Sequence, residues 1–339
     1  MAFLGGSITE MDGYRPMMCS YLENKFPETK FNFTNAGIAS TGSTTGAFRM
    51  DRDVLSKGPL DLLFVEFAVN DDQDAVNSFE EAQLGMEAII RKARKYNPNV
   101  DIVMTYFVNP EILNDYQKGI VRTSIAAHEV VAQQYNISTC NLAKEVSDQI
   151  IIGTLDWETF GGTHPKAFGN RICAGMISSM LEKVWSEKEP VTNPKPINTF
   201  NFENGKLVNP NNCTFDKKWS YAIPDWSKLE GTKRDRFTHI EMLSTTKPGA
   251  ELTIEFSGTA IGAYLVAGPD AGIVEVSIDN GEFREFDLFH PKFSQGLHYP
   301  ETIMFANKLE KGKHSLTLRM LKMTSGKGNA ARIMNFVVN

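Results

Sequence analysis

The chain has 339 residues, of which 42% are hydrophobic and 22% are charged, and its formal net charge is −6 at pH 7. This length exceeds the size at which a single hydrophobic core usually divides, so it favours two domains. The acidic balance and the lack of a basic cluster argue against nucleic acid as the main partner. No apolar run is long enough to span a bilayer.

The first predicted element is a short strand that leads into a turn. Residues 1–4 are apolar and predict a buried strand, and Gly5 and Gly6 allow a sharp turn before a helix. Ser7 in this turn is a candidate nucleophile, because free N–H groups at a helix N-terminus suit a developing oxyanion. A plain helix N-cap is the alternative role for this serine.

Two further strands end in small or polar residues. Residues 31–35 predict the second strand, and Gly37 in the small-residue loop after it has an N–H group that can approach a substrate closely. Residues 62–67 predict the third strand, and Asn70 follows it with an amide that can donate to an oxyanion. Ordinary turn and capping roles are the alternatives at both positions.

Helices and strands alternate through the rest of the first half. We predict helices over residues 13–26, 78–96, 117–135 and 167–185, and strands over residues 100–106 and 137–140. Such alternation implies a parallel sheet with helices on both faces, in which ligands bind at the carboxyl ends of the strands. Ser7, Gly37 and Asn70 all belong to blocks at such ends.

His164 has the strongest catalytic setting of the histidines. It stands in the sequence Gly-Gly-Thr-His-Pro, directly before the helix predicted over residues 167–185. The proline after it restricts its backbone, which helps to fix the direction of the side chain. We interpret His164 as the candidate general base, although a lone loop histidine is more often inert.

The cysteines and the histidines of the second half predict no metal site. Four cysteines are scattered without metal-ligand spacing or a disulfide framework: Cys19, Cys140, Cys173 and Cys213. Histidines 239, 290, 298 and 314 share no metal spacing either, which argues against zinc.

The pattern changes after residue 185. Residues 186–196 are polar and rich in proline, which is typical of a linker or an extended crossover. Beyond them the hydrophobic period becomes two, over residues 251–256, 273–278 and 315–320. Turn signals follow at residues 279–281 and 310–313. These features predict an antiparallel β-sandwich of jelly-roll type.

The domain organisation follows from this change of pattern. We predict a catalytic domain over residues 1–187, a linker over residues 188–198 and an accessory β-sandwich over residues 199–339. Four aromatic residues of the sandwich are candidates for stacking on sugar rings, although such residues more often belong to the core or to a domain interface: Trp219, Tyr221, Trp226 and Tyr299.

Four blocks, at residues 5–9, 35–37, 68–71 and 162–165, together resemble the serine, glycine, asparagine and histidine blocks of the SGNH (GDSL-like) hydrolase superfamily, and the resemblance covers residues 1–187. The resemblance implies a flavodoxin-like three-layer α/β/α fold, with Ser7 as the nucleophile and His164 as the general base. It also implies an oxyanion hole made of the Ser7 N–H group, the Gly37 N–H group and the Asn70 side chain. The blocks are most similar to a bacterial subgroup associated with glycan breakdown, and the sandwich loosely resembles the accessory domains of bacterial carbohydrate esterases.

Two positions depart from the family pattern. Ala68 stands where the family usually has a glycine, which is a small change. Gly161 stands three residues before His164, where the family has the acid of its catalytic triad. The nearest acids are Glu158 and Asp156. Either Glu158 reaches the imidazole from a shifted loop, or a backbone carbonyl orients the ring in a Ser–His dyad, or the site has decayed.

The resemblance implies a serine esterase that needs no cofactor and removes a small acyl group, acetyl above all, from a poly- or oligosaccharide. The alternatives are a non-catalytic carbohydrate-binding protein with a decayed hydrolase site, and a lipase-like or thioesterase-like acyl hydrolase. Glycan esterases of this kind are commonly exported, so the resemblance implies a location in the periplasm or at the cell surface, with the secretion signal absent from this sequence. A cytoplasmic location is the alternative.

Overall fold

The computed structural model describes residues 1–185, 191–322 and 325–339. The chain forms two compact units, Met1–Glu203 and Asn204–Asn339. The first residues of the linker predicted over 188–198 lie outside the described part of the chain. Its described remainder, from residue 191 onward, belongs to the first unit, so the division into units falls after Glu203.

Five parallel strands form the sheet of the first unit. They are β1 (Ala2–Gly5), β2 (Thr34–Gly37), β3 (Leu62–Glu66), β4 (Asp101–Thr105) and β5 (Ser138–Cys140). Their spatial order is β2-β1-β3-β4-β5, and every neighbouring pair is parallel. The chain order reverses between β1 and β3. In sheets of this order, ligands bind beyond the carboxyl ends of the strands at that reversal.

The helices of the first unit lie between and after these strands. They are α1 (Ser7–Glu10), α2 (Tyr14–Lys25), α3 (Ser43–Asp53), α4 (Ala68–Gln73), α5 (Phe79–Tyr96), α6 (Pro110–Gln117), α7 (Thr123–Tyr135), α8 (Leu142–Ile151), α9 (Trp157–Phe160) and α10 (Ala167–Val184). Helix α5 packs against both α3 and α7, whereas α2 packs against α10. The predicted three-layer α/β/α fold is thereby confirmed.

Two elements differ from the sequence prediction. The helix expected over residues 117–135 begins only at Thr123, as α7, because Gly119 adopts a positive φ of 72°, which a helix cannot contain; a separate helix that was not predicted, α6, ends at Gln117. Strand β2 begins at Thr34 instead of residue 31, and the rings of Phe31 and Phe33 stack on each other at 5.3 Å.

Residues 191–203 are held on the surface of α5. The backbone N–H of Ile197 donates to Glu87 Oε1 at 2.6 Å, and the side chain of Asn198 donates to Glu80 Oε1 at 3.0 Å. The ring of Phe202 packs against Phe48 at 5.2 Å. This segment is therefore part of the first unit's structure instead of a free connection.

Antiparallel strands make up most of the regular secondary structure described in the second unit. They are β6 (Lys206–Val208), β7 (Thr214–Phe215), β8 (Ser220–Ala222), β9 (Met242–Thr245), β10 (Glu251–Gly258), β11 (Ile261–Ala267), β12 (Ile273–Ile278), β13 (Arg284–Asp287), β14 (Tyr299–Ala306), β15 (Gly312–Met320) and β16 (Ala331–Val338), with one short helix, α11 (Asp235–Thr238). One sheet has the order β13-β12-β15-β10-β7, and the other has the order β14-β11-β16-β9-β8 with β6 beside β16.

The two sheets of this unit share one hydrophobic core. On β10, the alternate residues Leu252, Ile254 and Phe256 are buried, as the period of two predicts. They belong to the same cluster as Ile261 and Phe336 of the other sheet. The antiparallel β-sandwich predicted for this half is thereby confirmed.

The four aromatic residues of the sandwich divide between core and surface. Trp219 and Tyr299 are 4% and 1% exposed and belong to the interior. Tyr221 packs against the core cluster, and Trp226 is partly exposed. Among the described residues of the whole chain, no helix combines the length and the apolar character needed to cross a bilayer.

Candidate active site

Ser7 directly follows a turn of one residue between a strand and a helix. Strand β1 ends at Gly5 and α1 begins at Ser7, so Gly6 alone makes the turn. A Cβ atom on Gly6 would lie 1.9 Å from Asn70 Oδ1, and one on Gly5 would lie 2.4 Å from Thr9 Oγ1. Both positions therefore need glycine, and Ser7 is left partly exposed at the strand end.

His164 lies 157 residues after this serine in the sequence but is in contact with it in the fold. It lies in the loop between α9 and α10, and its Nε2 atom is 2.7 Å from Ser7 Oγ. That distance is a short hydrogen bond, within the range required between a nucleophile and its base. The two side chains predicted as nucleophile and base are thus in direct contact.

The protonation state of His164 suits a base. Loss of solvation lowers the pKa of His164 from its ordinary value of 6.5, so the imidazole is neutral at pH 7. A neutral ring with its proton on Nδ1 accepts the Ser7 hydroxyl proton at Nε2. The arrangement can deprotonate the serine as it attacks a carbonyl carbon.

In the described part of the chain, no carboxylate is hydrogen-bonded to the ring of His164. Glu158 is exposed and makes no hydrogen bond to His164, while Asp156 caps α9 by accepting from the Thr159 N–H at 2.8 Å. Among residues 1–185, 191–322 and 325–339, the His164 ring is hydrogen-bonded to Ser7 and to no acidic side chain.

Gly161 cannot carry the missing acid. Its φ is +107°, a conformation that side chains strongly disfavour. A Cβ atom there would also lie 2.2 Å from the backbone nitrogen of Lys166. The loop is therefore built around the absence of a side chain at this position.

Asn70 lies beside the turn that carries Ser7. It is 2% exposed near the start of α4, and its Nδ2 atom donates to Asp74 Oδ2 at 2.7 Å. The carboxylate of Asp74 accepts hydrogen bonds, so it sets the orientation of the amide. Within the described part of the chain, Asn70 Oδ1 has no hydrogen-bond partner and faces Gly6. One Nδ2 proton is thus engaged by Asp74, and the other has no acceptor among the described residues.

Gly37 packs closely on α1. It pairs with Gly5 in the sheet, and a Cβ atom on it would lie 2.3 Å from the backbone nitrogen of Glu10. Its N–H group donates to Asn35 Oδ1 at 3.0 Å. An oxyanion bound at the Gly37 N–H would have to share that donor with Asn35. In the loop that follows, Ser40 adopts a positive φ of 66°.

A buried network beneath Ser7 was missed by sequence reasoning. Glu66, the last residue of β3, is fully buried and accepts from Thr9 Oγ1 at 3.1 Å, and Thr9 Oγ1 is 3.0 Å from the hydroxyl of Tyr14. Burial first, and then the charges of Asp71 and Asp74, raise the pKa of Glu66 to about 8. One signal was present, namely a single acid inside the apolar run 62–67.

A second buried pair holds the helix that carries Asn70. Asp71 Oδ2 lies 2.9 Å from His128 Nε2 on α7, and Asp71 Oδ1 accepts from the backbone N–H of Ser43 at 2.7 Å. Asp71 and His128 are both fully buried. Helices α3, α4 and α7 are thus tied together one residue away from Asn70.

No group of three or more histidine, cysteine or acidic side chains in the described residues is arranged to hold a metal ion. Cys140, Cys173 and Cys213 are buried free thiols, and Cys19 is a partly buried one. Burial raises the pKa of the Cys140 thiol to about 11 and that of Cys173 to about 12, so both are protonated at neutral pH.

Comparison with known proteins gives one family and a set of similar folds. Residues 3–172 match the sequence model of the GDSL-like Lipase/Acylhydrolase family. A search among curated proteins found no match.

The similar solved structures include a two-domain esterase (CEX) active on acetylated mannans, co-crystallised with mannopentaose. It is 21% identical, with coverage of 100% of this chain and 89% of its own and a TM-score of 0.81. A second structure of a two-domain esterase (CEX) active on acetylated mannans is also 21% identical, with coverage of 100% and 90% and a TM-score of 0.79. These similarities show that each half of the chain has the same fold as the corresponding part of those two structures.

Proposed function

The chain belongs to the GDSL-like lipase/acylhydrolase family, which makes it a carboxylic ester hydrolase, and from this premise we propose that it is a serine esterase that removes acetyl groups from poly- or oligosaccharides. The observation that carries the proposal is the hydrogen bond of 2.7 Å between Ser7 Oγ and His164 Nε2. It joins a nucleophile to a base that is neutral at pH 7.

The proposed reaction has two halves. His164 takes the Ser7 proton as Oγ attacks the ester carbonyl, and the protonated ring then gives that proton to the departing sugar hydroxyl. This leaves an acetyl group on Ser7. Water, deprotonated by the same ring, attacks the acetyl-enzyme, and the ring returns the proton to Ser7 as acetate leaves.

The oxyanion of each tetrahedral intermediate needs hydrogen-bond donors. We assign this role to the Ser7 N–H group, the Gly37 N–H group and the free Nδ2 proton of Asn70. Asn70 is supported by its place against Gly6, beside Ser7, where its Oδ1 now faces Gly6 while its Nδ2 donates to Asp74. Removing one such donor from a serine hydrolase lowers kcat by about 10²–10³.

We further propose that Ser7 and His164 act as a dyad. The support is that the described residues place no carboxylate on His164, and that Gly161 has no room for one. A triad acid orients the ring and stabilises the imidazolium, so a dyad works more slowly but by the same steps.

The choice of an acetylated glycan rests on likeness of fold. The two-domain esterase with the same fold over the whole chain is described as active on acetylated mannans. Acetylated mannan is therefore the first substrate to test, followed by acetylated xylan and an activated aryl acetate. A polysaccharide substrate is too large to enter a cell, so we also propose that the enzyme is exported to the periplasm or cell surface.

The test is acetate release by the wild type and by Ser7→Ala. We expect release from at least one acetylated glycan and from the aryl acetate, with a loss of about 10³-fold or more in the variant. Equal release by both proteins would refute the assignment of Ser7. A folded wild type that binds the glycans and releases no acetate would favour a carbohydrate-binding protein with a decayed site, which the missing acid on His164 also favours. Release only from long-chain esters would favour a lipase.

A further inference from the structure

A buried carboxyl group lies directly under the turn that carries the nucleophile. Glu66 Oε2 accepts from Thr9 Oγ1 at 3.1 Å and from the backbone N–H of Gly6 at 3.4 Å. Gly6 precedes Ser7, and Thr9 lies on the same turn of α1. Glu66 Oε1 is buried and has no hydrogen-bond partner among the described residues. A single carboxyl oxygen thus holds both sides of the Ser7 turn.

The direction of the hydrogen bonds is fixed by their donors. The Thr9 hydroxyl donates to Glu66, so the Tyr14 hydroxyl, 3.0 Å from Thr9 Oγ1, donates to Thr9 in turn. Tyr14 is fully buried. The chain of donors runs from Tyr14 through Thr9 to Glu66 Oε2, which places the proton of a neutral Glu66 on Oε1.

The charges around Glu66 oppose its ionisation. From α4, the nearby acids are Asp71 and Asp74, and together with burial they raise the pKa of Glu66 to about 8. From α3, the guanidinium of Arg49 is directed to backbone carbonyls, including that of Gly5 at 3.0 Å. From α2, Arg15 Nε donates to the carbonyl of Thr9 at 3.2 Å. In the described part of the chain no cation pairs with the Glu66 carboxyl group.

Resting on the esterase function proposed above, we propose that Glu66 is a positioning residue for Ser7, which acts in its neutral form through Gly6 and Thr9, and that its ionisation at alkaline pH suppresses turnover. The reason is electrostatic. An ionised Glu66 accepts a hydrogen bond from Gly6, the residue before Ser7. In a buried site of low effective dielectric, its negative charge repels the charge that develops on the oxyanion.

The test is the pH profile of kcat for an activated aryl acetate between pH 5 and 10. The hydrolysis measured with Ser7→Ala at each pH is subtracted as background. In the wild type, kcat rises as His164 loses its proton, with a midpoint below 6.5, and falls again with a midpoint near 8. Glu66→Gln keeps an acceptor for Gly6 and Thr9 and cannot ionise. We expect its alkaline fall to vanish, so that at pH 9 its kcat exceeds that of the wild type about tenfold with KM unchanged, because only about one in eleven acids of pKa 8 is still neutral there.

Two further variants sharpen the result. Glu301→Gln is the matched control, because burial also raises the pKa of Glu301 to about 8 but this residue lies on β14 of the second unit. It should keep the alkaline fall of the wild type. Thr9→Val removes a hydrogen bond that favours the ionised form of Glu66, so the alkaline midpoint should move to higher pH. This variant decides the matter if Glu66→Gln does not fold.

The failure of this inference is distinguishable from the failure of the proposed function. A wild type without Ser7-dependent release of acetate overturns the esterase function, and with it the role of Glu66. An active wild type whose alkaline fall persists in Glu66→Gln, or whose midpoint is unmoved in Thr9→Val, overturns the role of Glu66 alone. Loss of the fall in Glu301→Gln would assign the titration to the second unit and likewise overturn it.

Discussion

The residues that carry the proposed chemistry are few, and one expected member is absent. Ser7 and His164 are in hydrogen-bond contact, but the position where the family has its acid is Gly161. The positive φ of Gly161 and the closeness of Lys166 to it exclude any side chain there. In the dyad proposed above, the loop itself orients the histidine: Pro165 is buried, and its carbonyl accepts a hydrogen bond from Asn170 of α10.

Glu158 provides the test of this interpretation at the level of one residue. Because Glu158 is exposed and makes no hydrogen bond to His164, we expect Glu158→Gln to keep kcat within about twofold of the wild type. The measurement is acetate release under saturating substrate. A loss of tenfold or more, with unchanged stability, would show that Glu158 reaches the ring during turnover and would replace the dyad with a displaced triad.

The elements that present these residues are held by buried polar pairs. Helix α4 carries Asn70, and its Asp71 binds His128 of α7 and the first N–H of α3, at Ser43. A carboxylate that is buried and multiply hydrogen-bonded fixes its neighbours strongly, because any of its partners, once lost, leaves an unsatisfied charge. The position of Asn70 is thus set by three helices and not by α4 alone.

The contribution of this pair to stability can be measured. His128→Leu leaves Asp71 Oδ2 buried without its donor, so we expect the free energy of unfolding to fall by about 3 kcal/mol. Urea unfolding followed by circular dichroism gives the value. His239→Leu is the matched control, because the His239 side chain is 80% exposed and its loss should change stability by about 0.5 kcal/mol or less. Equal effects of the two variants would contradict the proposed role of the pair.

At the scale of the whole molecule, the chain forms two units with different architecture. The first unit extends beyond its last long helix, because residues 191–203 return to α5. Glu87 of α5 is fully buried and accepts from the backbone of Ile197, and Arg91 forms an ion pair with Glu203. Phe202 is 2% exposed. The first unit therefore needs this segment to complete its surface.

Truncation tests this boundary. We expect the fragment 1–203 to fold by itself, and the fragment 1–187, which ends where the sequence predicts the catalytic domain to end, to be less stable by about 3 kcal/mol or more. The shorter fragment loses the burial of Phe202 and the hydrogen bond from Ile197 to Glu87, so the buried Glu87 carboxylate is left under-satisfied. Urea unfolding of both fragments provides the measurement. Fragments of equal stability would support the predicted boundary at residue 187.

Local pattern was sufficient for much of this protein. The alternation of helices and strands in the first half and the period of two in the second half predicted the two architectures, because hydrophobic periodicity reflects which face of an element is buried. Ser7 and His164 were predicted from blocks whose spacing resembles a family, although 157 residues separate them. The start of α7 was predicted at residue 117 instead of Thr123, because a lone glycine such as Gly119 within an otherwise helical pattern is often tolerated.

Only the tertiary structure decided what surrounds these residues. That Glu66 lies under Ser7, that Asp71 meets His128, and that residues 191–203 return to α5 are contacts between segments far apart in sequence. No local period encodes such pairings, and the energy of a buried charge depends on the groups that the fold packs around it. The sequence by itself determined the elements and the blocks that end them, whereas packing decided the electrostatics of the site, because burial exists only in the folded chain.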